Sequence, residues 1–511
     1  MQWPNNYPVL TAAYFLSLAP ELIGSETSPL IQKTLQHIYM GIDIWGRGSH
    51  GGGGFGASRA LDHISPHSLG LSAAIFGQAW TWESEQDKDG WTWDKWWEYD
   101  SCLWVGPASS KLSLPDMKWK KGEEHCKHDQ FKPITSFFPR LSPPDPIEIR
   151  FHTTFCPGTG LGWFVEGRKV FESNGWTDVD KQTIIGDMLW PLPTLHWDGE
   201  REHEIPSASV KFYMEDAWSA GNSLCVTIFC PGSANDIAAY RPLWLPIQSL
   251  CVTPRKLYGA SLIYKVNTLT EGISTEFALS LRNLTGPQGE EPDGIVTSRS
   301  EQDLPNGWTK LSIEFDVSLQ DNYMDMTVPL CIGLLFAIAT ESPDEPVQMS
   351  ILLGELNVSP LLPSSFTQDE ALILWADYTR DSSHQESSSS GILSWEVACT
   401  FPAVDSGLTP PDNPVPTWNP QPTISWFPSF QYFNIYAQPF VDQYTIGGID
   451  EAIWIGTSGA GWSGSHNIFV VLQENLPFEI PAAKLRFYVQ GVSERGEVMK
   501  WHRCAFVDVA L

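Results

Sequence analysis

The chain has 511 residues, of which 60 are acidic and 31 basic, for a formal charge of -29. That balance excludes a nucleic-acid partner, which needs clustered Lys and Arg to neutralise phosphates, and it fits neutral ligands better. With 42% hydrophobic and 12% aromatic residues the composition is globular, and the length predicts about three domains.

Taken from the start, MQWPNNYP has neither a basic nor an apolar leader segment, and no run of about 18 apolar residues follows. No membrane partner is expected, and the chain reads as soluble and cytosolic. The 9 Cys are scattered and odd in number, which predicts reduced thiols rather than a disulfide framework. Asn283-Leu-Thr and Asn357-Val-Ser match the glycosylation pattern and are expected to go unused. The 24 Trp exceed ordinary usage; most are expected to pack, the remainder to stack on sugar rings.

Residues TAAYFLSLAPELIG predict a short helix ending before Pro20. Two apolar runs, Tyr39 to Trp45 and Leu71 to Trp80, have the length and bounding glycines of buried strands, with room for one helix between them. Strand, crossover and strand predict parallel pairing. In such an architecture the chemistry gathers at the carboxyl ends of the strands. Those ends carry Asp43, Trp45 and Arg47, then Gln78, Trp80, Trp82 and Glu83, a carbohydrate-site composition. Trp93, Trp96, Trp97 and Leu103 recur at helical spacing and predict a helix packed by its aromatic residues.

Residues 107–146 are rich in Pro, Lys and Ser and read as a linker. Within them His125-Cys126-Lys127-His128 offers three metal ligands, but no second pair stands downstream at a zinc-site spacing, so no metal and no cofactor are expected. Residues 147–360 alternate in short strands, predicting an antiparallel jelly-roll sandwich. Glu215-Asp216-Ala217-Trp218, with Gly221 and Asn222, is its local site candidate, open to binding or packing. SSHQESSSSG is a solvated loop, and Trp395, Tyr436 and LRFYVQGVSERG in residues 361–511 predict a fibronectin type III-like sandwich serving as a docking or spacing module.

Gly41-Ile42-Asp43-Ile44-Trp45-Gly46-Arg47-Gly48, the glycines 51 to 54 with Phe55, Ala79-Trp80-Thr81-Trp82-Glu83 and Glu215-Asp216-Ala217-Trp218 together resemble glycoside hydrolase family 85. The resemblance covers residues 1 to about 360. It implies the last part of a (β/α)8 barrel, about strands six to eight, in residues 1–106, then the family's β-sandwich; the last 150 residues or so lie outside it and read as a separate module, so the whole is expected to be a multidomain α/β plus all-β protein. It implies endo-β-N-acetylglucosaminidase activity on N-glycan cores, with free N-glycans or glycoproteins, high-mannose in type, as partners. The family works by substrate assistance: the sugar's 2-acetamido group attacks its own anomeric carbon, an Asn orients that amide, and a Glu two residues later is acid and base.

No Asn-x-Glu occurs in this sequence, nor the family's Trp-Tyr-Asp strand end. The expectation is therefore a truncated chain that lacks the catalytic pair, with a non-catalytic glycan-binding or scaffold protein as the alternative. By resemblance Trp82 is an active-site aromatic flanked by Trp80 and Glu83, and Asp43, Trp45 and Arg47 line the glycan groove. Asp43 and Arg47 are equally readable as an ion pair holding the loop. Trp3 matches the aromatic that ends the sixth strand, with Asn6-Tyr7 competing for that place. Glu83 does not match the position of the family's acid.

Overall fold

The computed structural model describes residues 6–18, 33–64, 69–107, 117, 119, 125–128, 130–138, 143, 145–147, 150–187, 196–197, 206–232, 240–283, 294–317, 327–340, 342, 344–361, 371–380, 390–399, 430–440, 451–459, 467–478 and 484–510. It divides into two compact units, Met1–Leu141 and Ser142–Leu511, where the sequence predicts three domains and a linker.

In the first unit α1 spans Tyr7–Leu16, β1 Tyr39–Asp43, α2 Ala57–Ile64, β2 Ser72–Phe76, α3 Trp80–Glu83 and α4 Trp93–Trp104. Strands β1 and β2 pair in parallel, from Tyr39 opposite Ser72 to Asp43 opposite Phe76. Met40 and Ile42 point inward while Tyr39 and Gly41 face out, the period-two pattern of a half-buried strand. Ala57, Ala60, Leu61 and Ile64 recur at helical spacing on α2 and put one face into the core. The Thr92 side chain caps α4 by accepting from the Lys95 amide.

Two expectations are corrected here. The second strand stops at Phe76, because Gly77 takes φ +81 and the chain turns there. Trp80–Glu83 is consequently a single helical turn and not a strand end. The supposed linker also contributes to packing: Ile134 and Phe137 are buried in the same core as Ile42, Leu61 and Leu103.

The second unit is built from antiparallel sheets. One runs in the order Gly294–Asp303, Thr309–Val317, Tyr258–Leu269, Val347–Pro360, Ser223–Cys230, Ser207–Tyr213. A second runs Ile273–Asn283, Val328–Thr340, Tyr240–Val252, His196–Trp197, and Tyr264 of the first sheet packs on Phe277 of the second at 4.9 Å. Near the chain end, Phe430–Phe440 lies between Ile453–Gly459 and Lys484–Ser493.

The final sheets share buried contacts with earlier strands of the same unit. Trp163, Val165 and Ala220 share a buried cluster with Tyr432 and Val492. Asn434 Oδ1 accepts from the indole N–H of Trp163 and from that of Trp454, each at 3.2 Å. Trp395, buried in Gly391–Cys399, packs on Phe433 at 5.0 Å. Cys102, Cys126, Cys156, Cys225, Cys251, Cys331 and Cys504 are free thiols, and Asn357 is buried with its amide donating to the Arg495 carbonyl, so glycosylation there is sterically closed.

Candidate functional site

The carboxyl end of β1 is organised by one side chain. Asp43 Oδ1 accepts from the Trp45 amide at 3.0 Å, and Oδ2 accepts from the Arg47 amide at 3.2 Å and from Arg47 Nε at 2.7 Å. The Asp43 amide in turn donates to Ser49 Oγ at 2.6 Å. Of the two readings open for Asp43 and Arg47, the structure contains the ion pair. Burial works against ionisation of Asp43, but the hydrogen bonds from Arg47 and Trp45 outweigh it and hold the carboxyl below its ordinary value. An aspartate so held stays ionised and accepts hydrogen bonds; it does not donate a proton near neutrality.

The loop beyond is a close-packed glycine turn. Gly46, Gly48 and Gly51 to Gly54 all adopt positive φ, and the Gly54 amide donates to the Ile44 carbonyl at 2.6 Å. A Cβ on Gly53 would stand 2.3 Å from the Gly46 nitrogen, so only glycine fits. The turn leaves Trp45 37% exposed, with its indole edge against Gly77. The Arg47 guanidinium lies 5.6 Å from the Phe76 ring centre, and its protonated form is favoured first by its hydrogen bond to Asp43 and also by the charge of Glu83. Asp43, Trp45, Arg47 and Glu83 are thus one neighbourhood.

Trp80 and Trp82 are used differently. Trp80 turns inward, its ring against Gly54 and between Phe55 and Tyr99 at 6.1 and 6.0 Å. Trp82 stacks on Trp93 at 4.7 Å and meets Trp96 edge-on at 6.0 Å, forming a half-buried aromatic platform at the start of α4. Trp3 lies outside the described residues. Trp218 is buried against Trp308, and Asp216 pairs with Lys265 at 2.7 Å, so these two members of that candidate are engaged in packing and ion pairing.

Sequence reasoning missed several features. Asp100 sits beneath α3, accepting from Thr81 Oγ1 at 2.6 Å and from the Trp104 indole at 3.2 Å. Burial, opposed by those two bonds, pushes its carboxyl up to about 6. The spacing of Asp100 and Trp104 on one helix face was the available signal. In the second unit a cleft of about 350 Å³ is lined by Glu166, Arg168, Tyr436, Trp454, Gln490 and Trp501. The His125–His128 run gains partners from upstream rather than downstream: Cys126 Sγ is 3.4 Å from His50 Nε2, and His128 Nδ1 is 3.4 Å from Asp62.

With this geometry in place the comparisons carry weight. The model of glycosyl hydrolase family 85 matches residues 12–163, which contain the whole turn and platform. Over that segment the chain is similar to the family. It is 29% identical to cytosolic endo-beta-N-acetylglucosaminidase 1 of Arabidopsis thaliana over 183 residues, covering 36% of this chain and 19% of that one. It is 26% identical to the cytosolic endo-beta-N-acetylglucosaminidase of Gallus gallus over 271 residues, 53% of this chain and 29% of the relative. The chain therefore spans less than a third of these relatives. The glycoside hydrolase domain of Endo-D from Streptococcus pneumoniae superposes with a TM-score of 0.51 at 13% identity, covering 99% of this chain and 60% of that one. That likeness concerns the fold alone. Among the described residues, no helix is long and apolar enough to cross a membrane.

Proposed function

We propose that the family 85 segment forms one wall of a glycan site, in a cytosolic endo-β-N-acetylglucosaminidase that cleaves the GlcNAc-β-1,4-GlcNAc bond of N-glycan cores. The carrying observation is the Asp43-centred turn, which fixes Trp45 and Arg47 at the carboxyl end of a parallel strand pair beside Glu83. Trp45 offers an indole face for a pyranose ring, Arg47 and Glu83 offer hydrogen bonds to hydroxyls, and Trp82 with Trp93 extends the apolar platform. The fold likeness supports reading β1 and β2 as the seventh and eighth strands of a (β/α)8 barrel, and the antiparallel sheets as jelly-roll and fibronectin type III-like sandwiches.

The reaction is substrate-assisted: the substrate's acetamido oxygen forms the bond to the anomeric carbon as the glycosidic bond breaks, and one carboxyl group serves the leaving oxygen and then water. That step requires an Asn-x-Glu pair, which this sequence does not contain, so this chain binds glycan without turning it over. Asp43 does not replace the acid, being engaged by three donors.

The test is titration of the purified chain with a high-mannose glycan bearing a chitobiose core, by calorimetry, with chromatography of the mixture for product. Binding weakened about tenfold in Trp45→Ala, with no released GlcNAc-terminated product, supports the reading. Product formation overturns the claim of inactivity, and absence of binding overturns the wall itself.

A further inference from the structure

We infer that His50, His63 and Cys126 form a metal site, selective for a divalent cation of the zinc class, that staples the glycine-rich turn to α2 and to the segment at residues 125–128. The ligand atoms of the three side chains all lie within 4.8 Å of one another, and His50 Nε2 and Cys126 Sγ are 3.4 Å apart. Tetrahedral zinc, with Zn–S of about 2.3 Å and Zn–N of about 2.0–2.1 Å, sets neighbouring ligand atoms about 3.3–3.7 Å apart. One pair already has that separation. The others close by small side-chain rotations.

A second observation points to a ligand independently of the clustering. His63 Nε2 is buried and makes no hydrogen bond. A buried polar atom without a partner is costly, and a metal bond would satisfy it. The donor set of two imidazoles and a thiol suits zinc, and disfavours calcium and magnesium, which take oxygen.

The surroundings complete the arrangement. His128 packs edge-on against His63 at 4.9 Å between ring centres while its Nδ1 faces the Asp62 carboxylate at 3.4 Å. A carboxylate behind an imidazole is the usual outer support of a metal ligand, so His128 or a water takes the fourth position. Cys126 is partly exposed and gives the ion its way in. The three segments joined are a turn of positive-φ glycines, the last turn of a short helix, and a stretch with no regular structure. None has a ladder of its own to hold it against the others. The ion's role is therefore structural, fixing the turn that begins with Asp43.

The test uses the untagged full chain, stripped with a chelator and dialysed against zinc, with bound metal measured by plasma emission. One zinc per chain is expected, and the stripped chain should melt at a lower temperature than the loaded one. Cobalt in place of zinc should give a thiolate-to-metal charge-transfer band that Cys126→Ser abolishes. His63→Asn, which leaves the thiol in place, should weaken cobalt binding at least tenfold and keeps the test valid if the Ser variant misfolds. Substoichiometric zinc, a cobalt spectrum without the thiolate band, or a Cys126 thiol alkylated equally fast with and without zinc would each overturn the site.

Discussion

Thr81 donates its hydroxyl to Asp100 at 2.6 Å, tying the single turn of α3 to the middle of α4. The acceptor is a carboxyl whose value rises from 3.8 to about 6, with burial the leading cause. The folded state therefore holds a proton that the unfolded state has released between pH 3.8 and about 6. Stability falls as pH rises through that window and levels off above it. Asp100→Asn keeps an oxygen acceptor for Thr81 and Trp104 and removes the ionisation. It should stabilise the first unit by about 1–2 kcal/mol at pH 7, after discounting for partial exposure, and by almost nothing at pH 4. Urea melts at the two pH values measure this; an equal gain at both would show that ionisation is not the cause.

Asp43 and Arg47 should behave asymmetrically although they form one ion pair. Asp43→Ala removes the acceptor for two backbone amides and a guanidinium, so the turn should lose about 1–3 kcal/mol and glycan binding with it. The carboxylate's contribution is complete above pH 3.8 and fades as pH falls below that value, because its folded pKa lies lower still. Arg47 is 65% exposed at its side chain, which bonds within the turn to Asp43 alone among the described residues. Arg47→Ala should leave the melting midpoint unchanged and reduce only binding. Equal loss of midpoint in both variants would mean that the pair, not the turn, carries the stability.

The glycine turn gives a sharper contrast. At Gly53 (φ +77) an added Cβ would meet the Gly46 nitrogen at 2.3 Å and the Ile44 oxygen at 2.4 Å, both backbone atoms that have no rotamer to change. Gly53→Ala should cost about 3 kcal/mol or more. At Gly41, in β1, nothing lies within 4 Å, so Gly41→Ala should be neutral or stabilising by about 0.5 kcal/mol. Thermal melts of the two variants compare these directly. Similar midpoints would show that the turn rearranges freely.

These contrasts indicate what was legible in the sequence. Met40 and Ile42 alternating before a glycine run made β1 readable, and the i, i+4 spacing of Asp43 and Arg47 made their pairing readable too. The end of β2 was not, because the run Leu71 to Trp80 stays apolar through Gly77, where the backbone turns. Local pattern also says nothing of contacts across long separations. His50 meets Cys126 over 76 positions and Trp163 meets Asn434 over 271, so neither the metal cluster nor the union of the late sheets with the earlier ones leaves a periodic trace.

That union is open to measurement. Asn434 is fully buried and its single amide oxygen accepts from the indoles of Trp163 and Trp454, whose rings stack at 5.9 Å. Trp163 belongs to Pro157–Val165 and Trp454 to Ile453–Gly459, so one acceptor links strands of two sheets across the second unit. Asn434→Ala strands the buried Trp163 indole N–H and the half-buried Trp454 indole N–H and opens a small void, at a cost of about 2–4 kcal/mol. Because the acceptor is shared, Trp163→Phe and Trp454→Phe should each cost about 1 kcal/mol in the wild type and nothing further in the Asn434→Ala background. A double-mutant cycle by denaturant unfolding reads that coupling. Additive losses would mean that the sheets are held by the stacked rings alone and that the shared acceptor contributes nothing.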